Sequence, residues 1–175
     1  MTDRLAAAVR TVPDFPSPGI QFKDVTPILA DAALVREAAD RLAAPWAGAG
    51  VTHVVGIESR GYWWGALLAE RLGAGFVPAR KPGKLPAAVL SETYALEYGT
   101  DQLDLHADAF RSEGARVLVH DDVIATGGTA GAAVRLVERT GGVVVGCSFL
   151  VELAFLSGRD RLPEGLRVES VLSYG

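Results

Sequence analysis

Two adjacent carboxylates, followed within a few residues by paired glycines and hydroxyls, make VLVHDDVIATGGTA (Val117 to Ala130) the segment where chemistry is most legible. Gly127 and Gly128 let the backbone approach a ligand closely and tolerate a positive φ, so successive amides at the start of a following helix can converge on one anion. Thr126 and Thr129 add hydroxyl donors. A phosphomonoester suits that cradle, whereas Asp121 and Asp122 would repel it and suit neighbouring hydroxyl groups as acceptors. A phosphate beside a diol is a ribose 5-phosphate. The same residues could instead form an ordinary strand-to-helix turn with two solvated caps. Two other nucleotide loops do not fit: the glycines run Gly127-Gly128-Thr129-Ala130-Gly131 rather than G-x-G-x-x-G, and Gly83-Lys84 is preceded by Pro78 and followed by Leu85 where a Walker A loop needs Gly and Ser or Thr.

The elements that must carry such a loop follow from periodicity. Short apolar runs alternate with segments of helical period, the pattern of an α/β fold with a parallel β-sheet core flanked by helices. Strands are expected at Val51–Ile57, Gly75–Ala79, Arg116–Asp121 and Val143–Val151, and helices near Ala33–Ala47, Tyr62–Leu72 and Thr129–Thr140. Two stretches break the alternation: Val12–Thr26 with Pro13, Pro16, Pro18 and Gly19, and Arg80–Gly99 with Pro82, Gly83, Pro86 and Gly99. Both are expected to be loops or irregular arms, and the second carries Arg80, Lys81 and Lys84 beside Glu97.

Length and composition bound the rest. At 175 residues and 49% hydrophobic, the chain can bury one substantial core, so residues 1–175 are read as a single domain. A net charge of -4 gives no general pull toward nucleic acid or an acidic membrane surface. The first residues lack an apolar run with a basic flank, and the run from Val143 to Phe155 is interrupted by Gly146, Ser148 and Glu152, so a soluble, cytoplasmic chain is expected. The single Cys147 excludes an internal disulfide and reads as a small buried hydrophobe. His53, His106 and His120 are scattered, and no protein metal site is expected.

VLVHDDVIATGGTA resembles the phosphoribosyl pyrophosphate (PRPP) motif of type I phosphoribosyltransferases. PDFPSPGIQFKDVTPIL (Pro13–Leu29), GIESRGYWWGALLAERL (Gly56–Leu72), VPARKPGKLP (Val77–Pro86), SETYALEYG (Ser91–Gly99) and FLVELAFLSGRDRL (Phe149–Leu162) are similar, in the same order, to segments of the adenine-specific members. The resemblance covers nearly the whole chain. It implies the type I fold with a small hood and a flexible loop, and a homodimer. It implies substrates adenine and PRPP, products AMP and pyrophosphate, and magnesium arriving with PRPP.

By the same resemblance, Asp121, Asp122, Ala125, Thr126, Gly127, Gly128 and Thr129 hold ribose and its phosphate. The pyrophosphate loop maps onto Glu58, Ser59, Arg60 and Gly61, with the Glu58–Ser59 peptide expected to be cis; Ser59 and Arg60 meet pyrophosphate from it, together with Arg80, Lys81 and Lys84. An Arg can bind phosphate oxygens bidentately, each charge-assisted bond being worth roughly 1.5–3 kcal/mol. Gln21, Phe22, Lys23 and Leu153 form the adenine site, with Phe22 as a stacking face. Lys23 stands where many relatives carry Arg, which loses guanidinium geometry and keeps charge. Glu97 is the candidate for the purine proton. His120 departs from the usual apolar residue before the acidic pair and needs a hydrogen-bond partner if it points inward. Transfer to another purine, or a non-catalytic PRPP sensor that controls gene expression, are the competing readings; a sensor is expected to carry an added DNA-binding segment or basic face.

Overall fold

The computed structural model describes residues 3–95, 99–110 and 114–175. The chain opens with α1 (Arg4–Ala8), then β1 (Arg10–Pro13) and β2 (Gln21–Asp24) paired as an antiparallel hairpin, then α2 (Thr26–Leu29) and α3 (Ala32–Ala43). Next come β3 (His53–Ile57), α4 (Gly61–Leu72) and β4 (Gly75–Ala79). The antiparallel pair β5 (Val89–Ala95) and β6 (Thr100–His106) precedes β7 (Arg116–Ile124), α5 (Gly128–Arg139), β8 (Val143–Leu153) and β9 (Val168–Tyr174).

Five strands form one parallel sheet in the order β4-β3-β7-β8-β9. Its central strands are buried on both sides, and β8 reads as the near-continuous apolar run that such a position demands. On one face α5 and the β5–β6 pair cover Val117, Val119, Cys147 and Phe149; on the other α1 to α4, with Trp64 of α4 among the buried side chains, cover Val54, Leu118 and Leu150. Local signals set the helix ends. The Asp31 carboxylate accepts the Ala33 and Leu34 amides at the start of α3, and Gly73, with φ 64°, stops α4 in a left-handed turn. The chain leaves β3 toward β4 and leaves β7 toward β8, in opposite directions along the sheet. The crevice beyond the carboxyl ends of the adjacent β3 and β7 is therefore the switch point where α/β sheets bind ligands.

The expected strands and helices lie where periodicity puts them, with shifted ends: β7 runs three residues further, to Ile124, and α3 stops at Ala43 before a 3-10 turn at Ala44–Trp46. Both stretches expected to be irregular need correction. Val12–Thr26 contains β2 and the end of β1, with Pro16, Pro18 and Gly19 confined to the connection between them. Arg80–Gly99 is loop only as far as Ala88, beyond which β5 begins. β6 and β9 had no expected counterpart. These short strands sit at sheet edges or in a two-stranded pair, where burial is partial and the apolar pattern correspondingly weak.

Candidate functional site

The loop after β7 is built as its glycines require, though by a different division of labour than expected. Only Gly127 adopts a positive φ, 78°, and a Cβ there would lie 2.0 Å from the Gly158 carbonyl oxygen. Gly128 is the first residue of α5 and owes its smallness to a neighbouring strand, since a Cβ would meet the Ala95 carbonyl at 3.1 Å. Gly158 in turn leaves room for Ala125, whose carbonyl oxygen would be 2.2 Å from a Cβ on it. No side chain caps the start of α5, so its first amides face the loop. Asp121, Ala125, Thr126, Gly127, Gly128 and Thr129 together line a cavity of about 80 Å³.

The acidic pair stands at the mouth of this loop. Asp121 accepts the Asp122 amide at 2.9 Å, and its Oδ1 lies where a Cβ on Gly61, at 2.9 Å, would collide with it. Gly61 thus lets α4 start against the end of β7. Asp122 is 2% exposed, and its Oδ2 lies 3.0 Å from Arg60 Nε in an ion pair without hydrogen-bond alignment. Burial and the adjacent Asp122 charge raise Asp121 well above the ordinary carboxylate range. Burial also raises Asp122, against the opposing pull of Arg60.

Arg60 follows β3 through a peptide, Glu58–Ser59, that is cis as the resemblance implies. Besides meeting Asp122, its guanidinium lies over the Phe22 ring, 5.2 Å from the centroid, and the Phe15 and Phe22 rings meet edge to face at 5.1 Å. One side chain therefore bridges the three groups of residues expected for base, ribose and pyrophosphate. Ser59 is exposed beside it, and its carbonyl accepts the Tyr62 amide at 3.2 Å.

Behind Arg60 lies a turn of cations organised by Glu58. The Glu58 carboxylate accepts the Lys81 amide at 2.8 Å and the Lys84 ammonium at 2.6 Å, with Arg80 Nε 3.5 Å away. Arg80 also donates to the Lys84 carbonyl at 2.9 Å, and Lys81 pairs with Asp101 and donates to the Tyr94 hydroxyl at 2.9 Å. Burial would lift Glu58, but Lys84, the Lys81 amide and Arg80 outweigh it and hold the carboxyl below its usual range. For Tyr62, whose hydroxyl donates to the Ala79 carbonyl at 2.8 Å, burial and the Glu58 charge act in the opposite sense, moving the phenol well upward.

The sequence profile of the phosphoribosyl transferase domain matches residues 22–162. The chain is 59% identical over 169 residues to an adenine phosphoribosyltransferase of Synechococcus sp. (strain JA-2-3B'a(2-13)), covering 96% of each protein. The chain belongs to the adenine phosphoribosyltransferase family. Its fold overlays the enzyme of that name from Rhodothermus marinus with a TM-score of 0.91 at 59% identity, over 97% of this chain and 96% of the other. The Saccharomyces cerevisiae adenine phosphoribosyltransferase, solved with adenine and an imino-altritol bisphosphate, gives a TM-score of 0.90 at 40% identity and covers 96% of both chains.

Within this adenine phosphoribosyltransferase fold the expected site residues do not all converge. Phe22, Arg60, Asp121 and Asp122 come together. Lys23 points its ammonium to Thr11 Oγ1 at 2.9 Å and to the Tyr174 ring at 4.4 Å, and Leu153 pairs with Tyr174 in the sheet, so Lys23 and Leu153 share that neighbour. Gln21 is exposed. Glu97 lies outside the described residues. The sequence reading missed Glu58 as an ion partner, and Asp101, Gly61 and Gly158 as supports; the E-S-R-G string held a signal for Glu58, whereas Asp101 and Gly158 are linked only through the fold. His120 does point into the core: it is fully buried, neither ring nitrogen makes a well-aligned hydrogen bond among the described residues, and burial, opposed by the Ser148 backbone beside it, pushes it down to about 3, so it is neutral at physiological pH.

Proposed function

We propose that the chain is an adenine phosphoribosyltransferase, making AMP and pyrophosphate from adenine and PRPP. The observation that carries this reading is the pairing of the uncapped glycine loop after β7 with the cationic residues after β3 and β4, the Asp121–Asp122 pair meeting both through the loop it opens and through Arg60. Two such places flanking a pair of hydroxyl acceptors suit a ribose that bears phosphate at one end and pyrophosphate at the other.

In the reaction, adenine N9 attacks C1 of the ribose, the new C1–N9 bond forms, and the bond from C1 to the pyrophosphate oxygen breaks through an oxocarbenium-like transition state. The Ala125–Thr129 loop holds the ribose phosphate with backbone amides and hydroxyls, and the carboxylates of Asp121 and Asp122 accept the ribose hydroxyls. Arg60, Arg80, Lys81 and Lys84 take up the charge gathering on the leaving pyrophosphate, with Ser59 at the same loop. For Arg60 this requires leaving Phe22, whose face then stacks on the purine; Gln21, Lys23 and Leu153 belong to the base site by resemblance, and Lys23 would have to leave Thr11 and Tyr174 to reach it. Glu97 accepts the purine proton.

Magnesium would be held mainly by the phosphate oxygens of PRPP, which suit a hard cation that keeps several waters. The buried, non-hydrogen-bonded Oδ2 of Asp122 is an acceptor fit to face those waters. Bound there, the ion would neutralise part of the pyrophosphate charge. A homodimer and a cytoplasmic setting belong to the same reading. Exposed Trp63 on α4 offers apolar surface to a second copy, and no described helix is long and apolar enough to cross a membrane.

The test is to incubate the protein, magnesium and PRPP with single purine bases and to quantify each nucleotide. AMP should form rapidly, with far slower turnover of hypoxanthine and guanine. In the same single-turnover assay Glu97→Gln should slow AMP formation by about 10²–10⁴-fold with PRPP affinity nearly intact. Equal use of guanine would overturn the base assignment, and no nucleotide from any base would favour a PRPP sensor.

A further inference from the structure

Each cation expected to receive pyrophosphate is matched here by a carboxylate: Arg60 by Asp122, Lys81 by Asp101, and both Arg80 and Lys84 by Glu58. Glu58 differs from the others in facing two of these cations at once, besides accepting a backbone amide of the same turn. Its side chain is only 11% exposed, while the Lys84 side chain it holds is 48% exposed.

We propose that Glu58 is a positioning residue that acts as the resident anion of the pyrophosphate half-site: it holds Arg80 and Lys84 in place while pyrophosphate is absent and opposes its retention once formed. The inference rests on the reading of this turn as the pyrophosphate site. Two distinct contacts divide the work. The bond from the Lys81 amide to Oε2 fixes the backbone of the turn to the end of β3, and needs an acceptor oxygen but no charge. The contacts to Lys84 and Arg80 need the charge. An incoming polyanion must take these two cations from Glu58 and then sits beside its negative charge, which lowers affinity for substrate and product alike. A cationic turn with no such competitor would bind its product more tightly and release it more slowly.

Glu58→Gln separates the two contacts, because the amide oxygen can still accept the Lys81 N–H while the competing charge is gone. Calorimetric titration of the full chain with magnesium pyrophosphate should show binding about twofold to fivefold tighter than in the parent, the range set by a partly exposed ion pair. Pyrophosphate should inhibit AMP formation at correspondingly lower concentration. Glu58→Ala, which removes the anchor as well, should bind pyrophosphate less tightly than Glu58→Gln. That ordering is the signature of a dual role, since a side chain that merely supports the turn would weaken binding in both variants. Unchanged or weaker pyrophosphate binding by folded Glu58→Gln overturns the proposal while leaving the function intact. Failure of the parent itself to bind magnesium pyrophosphate removes the reading of the half-site, and the proposal with it.

Discussion

On the proposed reading, the two halves of the crevice would receive anions by different means. After β7 the work is done by backbone: Gly127 in a left-handed conformation, uncapped amides at the start of α5, and a crossing so close that Gly127 and Gly158 touch without side chains. After β3 and β4 it is done by side chains, Arg60 beyond the first strand and Arg80, Lys81 and Lys84 beyond the second, each held by a carboxylate. A backbone cradle has one shape and tolerates little change. Paired cations can exchange one anion for another, which suits a group that must leave. On the proposed assignment, the half that keeps its phosphate throughout the reaction is the rigid one, and the half that gives up its ligand is built from exchangeable ion pairs.

The sharpest break in this comparison is Gly127→Val. The side chain would have to occupy the space of the Gly158 carbonyl and adopt a φ of 78°, two penalties that together amount to roughly 2–4 kcal/mol. Ribose 5-phosphate binding should be lost and the thermal midpoint should fall well below that of the parent. Arg80→Ala in the other half should leave the midpoint nearly unchanged. A Gly127→Val protein that melts with the parent and still binds ribose 5-phosphate would show that the cradle is not rigid.

The same contrast accounts for what the sequence could disclose. The phosphate loop was legible because its residues are contiguous and its glycines have a local conformational reason, although the positive φ belongs to Gly127 alone. The central strands were legible from their unbroken apolar runs. Partners brought in by the fold were not: Asp101 reaches Lys81 from β6, a strand that left no clear period, and Gly158 meets Gly127 from a loop more than thirty residues on. Short strands in hairpins and at edges, β1, β2, β6 and β9, are only half covered, so their apolar alternation is diluted. Lys23 was placed in the base site by resemblance, but contact with Thr11 and Tyr174 decides where its ammonium lies.

A smaller effect should come from His120, which sits on β7 just before the acidic pair. Folded, it stays neutral down to about 3, whereas in the unfolded chain it protonates below about pH 6.5. The unfolded state therefore binds the extra proton between these values, and stability falls as pH drops from 6.5, by up to about 1.4 kcal/mol per unit. His120→Val removes this dependence and the unpaired ring nitrogens. It should be more stable by about 1–2 kcal/mol at pH 7 and by more at pH 5, as read from urea midpoints. The raised carboxyls of Asp121 and Asp122 act in the opposite sense, their contribution being lost as pH rises through their folded values, and they cancel between parent and variant. Parallel pH profiles for the two proteins would mean that His120 is not buried in neutral form.

The division of the crevice is tested most directly by titrating AMP and magnesium pyrophosphate separately into the parent and into the Arg80→Ala/Lys84→Ala double variant. AMP carries the group held by the backbone loop, so its Kd should stay within about twofold, while pyrophosphate should bind at least about tenfold more weakly for want of two charge-assisted partners. Equal weakening of both ligands, or no weakening of pyrophosphate, would contradict the account.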